Sequence, residues 1–177
     1  MKTNEIADII MRSLQERNFM IYATSISVDG LAEMDVVGIN RNEYTYEFEI
    51  KRSRSDFKAD FKKTYKHYKL QNKLHTKNYN KWIKGKKTDI IERSIQIPNR
   101  FYYVCEEGLI KLDEIPKYAG LIYIKNKRDY VEIKNAPLLH REKVTKAMYK
   151  GISGIFSQRF VYGCSYLNYI NNQKLKL

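Results

Sequence analysis

The sequence predicts one α/β domain, a central mixed sheet flanked by helices, with its elements in the order α-β-β-β-α-β. Three observations carry this. Ile6, Ile9, Ile10 and Leu14 recur at helical spacing near the start of the chain. Residues 43–51 alternate, with Tyr44, Tyr46, Phe48 and Ile50 on one face and Thr45, Glu47, Glu49 and Lys51 on the other. A capped segment of aromatic and lysine residues then opens at Ser53. At 177 residues the chain fits a single domain and is long enough to bury a core. The core is expected over about 4–125, followed by a C-terminal helix and tail over about 136–177.

Taken in order, Asn4 to Arg17 reads as a helix, with Thr3 or Asn4 as its cap and Glu5 in its first turn. Phe19 to Ser27 reads as a strand, and Val28-Asp29-Gly30 carries an Asp-Gly turn signal. Leu31 to Ile39 is a second strand, and Asn40-Arg41-Asn42 turns the chain into the alternating strand that ends at Lys51. The apolar face of that strand requires a helix over it. Ser53 with Asp56 resembles a capping box, and the helix it opens carries Phe57, Phe61, Tyr65 and Tyr68 on one side. Lys58, Lys62, Lys63, Lys66, Lys69 and Lys73 crowd the rest of it. Residues 75–93 are basic, irregular and long for a loop. Ile95 to Cys105 is β-rich, though Pro98 and Asn99 interrupt it, and Pro98 suits the beginning of a strand or a sheet edge. Ala119 to Lys125 reads as a buried strand, Tyr130 to Ile133 as a short edge strand, and Arg141 to Phe156 as a helix weakened by Gly151 and Gly154.

The formal charge of +13 favours a polyanionic partner, since Lys and Arg that neutralise phosphates release condensed counterions. A solvated lysine-rich surface carries the same charge. Two cysteines, Cys105 and Cys164, are too few for a disulfide scaffold or a cysteine-rich metal site, and read as reduced thiols. No apolar run is long enough to span a bilayer, and the N-terminus leads into an amphipathic pattern and not a signal-peptide core. The expected location is therefore the cytoplasm. The sequence has no Gly-rich phosphate loop, no Cys/His zinc pattern and no Ser/His/Asp set.

Within this basic chain, Asp35 is followed fourteen residues later by Glu49-Ile50-Lys51. For Asp35 and Glu49 to oppose each other across one hairpin, residue 42 must be its centre. A three-residue loop, Arg41-Asn42-Glu43, satisfies this, with Asn42 suited to a left-handed conformation. A two-residue loop would send the carboxylates to opposite faces unless a bulge restored them. In the first register the two carboxylates can share a hard cation such as Mg²⁺, and the Ile50 carbonyl can add a third oxygen. A bound metal acidifies water for attack on phosphorus, and Lys51 can orient that water or neutralise charge developing in the transition state. Glu5 is the expected further acid from the first helix, at its site-proximal end; Glu16 is expected at the far end, and Glu33 and Glu47 are alternatives from the hairpin. Cross-strand ion pairs of no catalytic meaning produce the same residue types.

Asp35 and Glu49-Ile50-Lys51, within helix–strand–strand–strand–helix, resemble the PD-(D/E)XK nuclease superfamily. The runs Ser53 to Lys63, Lys66-His67-Tyr68, Pro98 to Val104, Gly108-Leu109-Ile110 and Ile115 to Leu121 make the order similar to the MmcB-like group of DNA-repair nucleases and related phage proteins. The likeness covers roughly residues 30–125, with a weaker echo in Ala136 to Arg141. Met34 stands where a proline often precedes the Asp. The resemblance implies a restriction-endonuclease-like core and a Mg²⁺- or Mn²⁺-dependent DNA nuclease acting in repair, recombination or phage DNA metabolism, in a bacterial or phage-infected cell. Asp35 and Glu49 would be metal ligands and Lys51 the catalytic lysine. Many such folds act as dimers, so a homodimer is compatible with it.

For DNA contact the sequence nominates Lys58, Lys62 and Lys66 along the basic helix, His67 beside them, Arg100 at a strand start, and Trp82, with Tyr79, for stacking on an unpaired base. His67 could instead hydrogen-bond an acid of the site. His75 and His140 have no metal-ligand spacing and read as structural or exposed. Two other classes of function fit the composition: a non-catalytic nucleic-acid-binding module on the same fold, and a structural or interaction protein such as a phage component.

Overall fold

A computed structural model describes residues 1–26, 34–72, 97–146 and 149–154. The elements are α1 (Thr3–Glu16), β1 (Ile21–Ile26), β2 (Met34–Ile39), β3 (Thr45–Ile50), α2 (Arg54–Asp60), α3 (Thr64–Asn72), β4 (Arg100–Glu106), β5 (Ala119–Ile124) and β6 (Tyr130–Lys134). The six strands form one mixed sheet in sequence order. β1, β2 and β3 are antiparallel neighbours; β3, β4 and β5 run parallel; β6 returns antiparallel at the edge. α2 and α3 lie in the connection between the parallel pair β3 and β4, where a crossover is required.

Each face of the sheet is covered for a reason visible in its residues. On the first face α1 lays Ile6, Ile9, Ile10 and Leu14 over Val36, Phe48, Ile50, Tyr102 and Val104. The helix begins at Thr3 with Lys2 as its cap residue, in place of Thr3 or Asn4, and the Glu5 carboxylate accepts from the Lys2 N–H at 2.7 Å. The second face carries two separate apolar clusters. Phe57 and Leu70 pack with Phe101, Tyr103, Leu121 and Leu139 at one side, and Ala23, Met34, Val37, Ile39 and Ile152 at the other. Between these clusters runs β3, whose residues on this face are Thr45, Glu47 and Glu49, and Lys51 continues the alternation just past its end. The second face is thus split by a polar seam.

The hairpin between β2 and β3 pairs Val36 with Phe48, Val37 with Glu47, Gly38 with Tyr46 and Ile39 with Thr45. This register centres on Asn42 and needs a three-residue loop. Asn40 N donates to Tyr44 O at 3.0 Å and Glu43 N to Asn40 O at 2.9 Å, closing it. The left-handed residue is Glu43, with φ 64°, and not Asn42. A turn followed by one left-handed residue puts the positive φ at the third loop position, which is Glu43. Asn40 instead stabilises the loop by accepting the N–H groups of Asn42 and Tyr44 through its side chain, each at 3.0 Å.

The basic helix expected after Ser53 is two helices. Ser53 caps α2, its hydroxyl accepting from Asp56 N, and Asp56 in turn accepts from Arg52 N at 3.1 Å. The chain tightens at residues 61–63, where Lys63 N donates to Asp60 O at 2.9 Å, and α3 then restarts. The break lets the His67 ring fold back onto Asp60, with Nε2 at 2.9 Å from the Asp60 carbonyl oxygen. The C-terminal helix also begins later than its sequence pattern suggests. Residues 141–145 are not helical and residues 149–154 are. The cause is Asn99, fully buried before β4. Its side chain donates to the carbonyls of His140 and Glu142 at 3.0 and 2.8 Å, and its own carbonyl accepts from Leu139 N at 2.8 Å. Its side-chain oxygen takes Thr45 N at 2.7 Å and Thr45 Oγ1 at 3.0 Å. Backbone groups of 139–142 committed to Asn99 hold this stretch extended against the sheet. His140 is structural, its Nε2 facing Ile97 O at 2.9 Å. Gly120 serves the same strap, since a Cβ there would stand 2.5 Å from the Tyr102 ring and 2.7 Å from Ala136 N.

The turn at Val28-Asp29-Gly30, the beginning of the second strand at 31–33, residues 75–93 with His75, Tyr79 and Trp82, Cys164 and the tail from Phe160 lie outside the described residues. Cys105 is a buried free thiol. No described helix is long and apolar enough to cross a membrane.

Replacing Asn99 by Ala leaves the buried Thr45 N–H and hydroxyl and the half-buried carbonyls of His140 and Glu142 short of partners. The expected cost is about 3 kcal/mol, at about 1 kcal/mol or more per lost bond, read as a drop in the urea midpoint. A loss below about 1 kcal/mol would show that the strap holds without it.

Candidate functional site

The polar seam of β3 is the densest charged cluster among the described residues. The Glu49 carboxylate sits in the middle of it. Its Oε1 accepts from Lys51 Nζ at 2.8 Å and Lys63 Nζ at 3.2 Å, and its Oε2 from Lys66 Nζ at 2.8 Å. Lys66 also pairs with Glu47 at 2.6 Å and stands 5.0 Å from the centre of the Phe101 ring. Lys51 also pairs with Asp60 at 3.1 Å, and Lys63 meets the same Asp60 oxygen at 3.1 Å. Asp60 Oδ2 accepts from Tyr103 Oη at 2.9 Å and faces His67 Nε2 at 3.2 Å. His67 Nδ1 completes the chain against Tyr118 Oη at 2.6 Å. Glu47 Oε1 and Asp60 Oδ1 are held by charge alone, since the ammonium groups beside them stand off the hydrogen-bonding direction.

Local structure explains the convergence. Alternation along β3 puts Glu47 and Glu49 on the face that α2 and α3 cover, and Lys51 follows in register, its N–H accepted by Val104 O at 2.8 Å. Asp60 is the last residue of α2, Lys63 closes the turn, and Lys66 and His67 lie one turn into α3. The break at 61–63 is what aims all four at β3.

Asp35 reaches the cluster from β2. It stands one residue before Val36, where the paired ladder with β3 ends, and it feels the charge of Glu49. Its Oδ2 accepts from Ile50 N at 2.8 Å, taking over from the backbone ladder at the strand end. Burial pushes its carboxyl up from the usual range, and the nearby Glu49 charge adds to this against the Ile50 hydrogen bond. Burial likewise pushes Glu47 up, against the attraction of Lys66. For Glu49 burial acts upward too, but Lys66 and Lys51 outweigh it and hold the carboxyl below its ordinary value. Asp60 is the extreme case: burial is overcome by the His67 and Lys51 contacts, and its carboxyl lies far below the usual range. Lys66 is pushed up, because Glu47 and Glu49 overcome the desolvation of its ammonium group.

The residues nominated from sequence divide clearly. Asp35, Glu49, Ile50 and Lys51 come together. Lys66 and His67 join them as parts of the buried cluster, so neither lies free along a phosphate backbone. Lys58 and Lys62 are exposed at its rim. Arg100 donates to the Ala136 carbonyl and tethers the extended strap. Glu5 is not brought into the site. It faces the β5–β6 turn, pairing with Lys127 at 3.4 Å, because α1 packs on the opposite face of the sheet. Of the other acids considered, Glu47 is present and Glu16 lies exposed at the end of α1; Glu33 and Trp82 lie outside the described residues. Asp60, Tyr103 and Tyr118 escaped the sequence reading. The available signal was Asp60 itself, an acid among lysines at helical spacing from Lys63 and His67.

No protein-family model matches the chain, and no curated protein matches it. Among solved structures it is similar to a protein of unknown function from Silicibacter pomeroyi, at 17% identity and a TM-score of 0.61, over 95% of this chain and 92% of that one. At this identity the likeness concerns the fold alone: an α/β structure with a six-stranded mixed sheet flanked by helices.

Groups with depressed carboxyl pKa values stabilise the fold above their unfolded value, near pH ~4, and lose that contribution as pH falls through the native value. Glu49 and Asp60 act in this sense. Asp35 and Glu47, shifted upward, act in the opposite sense, contributing below pH ~4 and losing it as pH rises. Asp60 has the largest shift, so Asp60→Asn is expected to cost about 3 kcal/mol at neutral pH and to flatten the loss of stability below pH ~4. Urea midpoints measured from pH 7 to pH 2 test this; parallel curves for wild type and variant would refute it.

Proposed function

We propose that this protein is a divalent-metal-dependent nuclease with a restriction-endonuclease-like core, hydrolysing DNA phosphodiesters in repair, recombination or phage DNA metabolism. The observation that carries this reading is the gathering of Asp35, Glu49 and Lys51 at one end of the β2–β3 hairpin. A buried ionic cluster is weak evidence for stability, because apolar residues of similar volume hold a fold as well without the desolvation cost. Burial and neighbouring charges displace this cluster's carboxyl groups in both directions, as active sites and structural ion-pair networks alike do.

The donor set suits Mg²⁺ or Mn²⁺. Asp35 and Glu49 offer anionic oxygens from neighbouring strands. Among the described residues the partner of Asp35 is the Ile50 N–H and not an ammonium group, and the upward shift of its carboxyl is what a nearby cation would reverse. Asp35 and Glu49 would hold the metal, with the Ile50 carbonyl as a third oxygen. The metal when bound supplies a Lewis acid that polarises the phosphate and activates water.

The protein's own groups supply the rest. Lys51 presents a buried ammonium group to charge developing on the phosphate oxygens. Glu49 and Asp60 hold that ammonium from two sides, and Tyr103 and His67 fix Asp60 in turn, so little reorganisation is needed when the charge develops. The exposed Lys58 and Lys62 can follow the backbone of a DNA strand lying along α2. Water adds to phosphorus as the ester P–O bond breaks, leaving a phosphate on one fragment and a hydroxyl on the other.

A second reading is favoured by one observation: both Glu49 oxygens are occupied by ammonium groups, as a binding module without catalysis would leave them. It requires salt-sensitive DNA binding that survives EDTA and Glu49→Ala.

Incubation with single-stranded, duplex and branched DNA and Mn²⁺ separates the two. The nuclease reading expects cleavage that EDTA abolishes and that Lys51→Ala lowers by at least about 100-fold, the scale for losing one preorganised electrostatic group. Inactivity of the wild type on all three substrates, or equal cleavage by Lys51→Ala, would end it.

A further inference from the structure

We infer that Lys63 is an exchangeable cation, which neutralises Glu49 in the metal-free site and gives up that place when a divalent ion binds. The inference rests on the metal-site reading above and assigns a role to a residue outside the acid–acid–lysine set.

Three ammonium groups share the Glu49 carboxylate, and they differ in what they would lose by leaving. The side chains of Lys51 and Lys66 are 4% and 10% exposed, and that of Lys63 is 53% exposed. Lys51 and Lys66 are enclosed by β3, α2 and α3 and pair with further buried acids, Asp60 and Glu47. Either would leave an uncompensated charge behind. Lys63 contacts Glu49 and Asp60 from the solvent side, and its ammonium group can return to water by rotation of its own side chain. Of the three ammonium groups it is the one that water already reaches, although Glu49 and Asp60 themselves are buried.

The charges facing Glu49 agree. Asp35, Glu47, Glu49 and Asp60 are four carboxylates, set against Lys51, Lys63 and Lys66. Asp56 is half-exposed, 3.9 Å from Lys51, and is engaged as a helix cap. With all four carboxyl groups ionised, the set is short of one positive charge when Lys63 is in place and of two when it is withdrawn, the charge of one Mg²⁺ or Mn²⁺. Lys63 also contacts the Glu49 oxygen that is not shared with Lys66. Its departure frees coordination space on Glu49 without disturbing the Lys66–Glu47 pair.

The test uses the full chain and metal alone. Mn²⁺ titration followed by calorimetry is expected to show Lys63→Gln binding about two- to five-fold more tightly than wild type, the range expected from removing one competing, half-exposed cation. Lys63→Arg, which keeps a cation there, shows no gain, and Lys62→Gln, which changes the overall field equally, gains clearly less. In the wild type, saturating Mg²⁺ is expected to raise the acetylation rate of Lys63 at least about two-fold by peptide mass spectrometry, with Lys58 and Lys62 unchanged. Equal or weaker Mn²⁺ binding by Lys63→Gln, an equal gain in Lys62→Gln, or an acetylation rate indifferent to Mg²⁺ would overturn the inference while leaving a metal site standing. Mn²⁺ binding by neither wild type nor Lys63→Gln at millimolar concentration would overturn the metal reading and the inference together.

Discussion

Neutralisation of the Glu49 carboxylate is the constraint on which the second face of the sheet depends. A carboxyl group on the middle of three adjacent strands stays ionised when buried only if cations stand beside it, because desolvation of an isolated charge costs far more than a domain's whole stability margin. The cations reach it from Lys51 on the same strand and from Lys63 and Lys66 across the layer. That requirement governs the connection between β3 and β4. One uninterrupted helix would not turn Asp60, Lys63, Lys66 and His67 together onto β3, and the break at 61–63 does.

The two faces of β3 show how one strand serves two ends. Tyr46, Phe48 and Ile50 belong to the layer under α1, where burial of apolar area drives packing. Glu47 and Glu49 form a seam between two apolar clusters that never merge. The seam lies against well-packed walls, Phe101 and Tyr103 from β4 on one side and Val37 and Ile39 from β2 on the other. Walls of low polarity strengthen every charge interaction within the seam, which favours preorganised electrostatics. The Asn99 hub sits at the opposite end of β3. It ties Thr45, the stretch 139–142 and the start of β4 together, so both ends of the central strand are pinned, one by ions and one by a neutral network.

Much of this was legible because it is local. The three-residue loop centred on Asn42 follows from requiring Asp35 and Glu49 to share a face, and the pairing has that register. The Ser53 cap, the strand at 45–50 and the strand opening after Pro98 follow from short-range chemistry of the same kind. The errors arose where a distant group outbid a local preference. The pattern at 141–156 is helical, but Asn99 captures the backbone of 139–142 first. Phe57, Phe61, Tyr65 and Tyr68 have helical spacing, but the ionic cluster breaks the helix among them. Glu5 has the right charge and belongs to the expected helix, but the face on which α1 packs decides against it.

By itself the sequence determined the periodicities, the caps, the hairpin register and the presence of acids and a lysine on one strand face, because each depends on bonds and spacings within a few residues. Only the tertiary structure decided which helix brings its charges to that face, that Asp60, Tyr103 and His67 stand behind Lys51, and that Lys66 is locked while Lys63 faces water. Those outcomes depend on burial, which is a property of layers packed together and is written in no single stretch of chain.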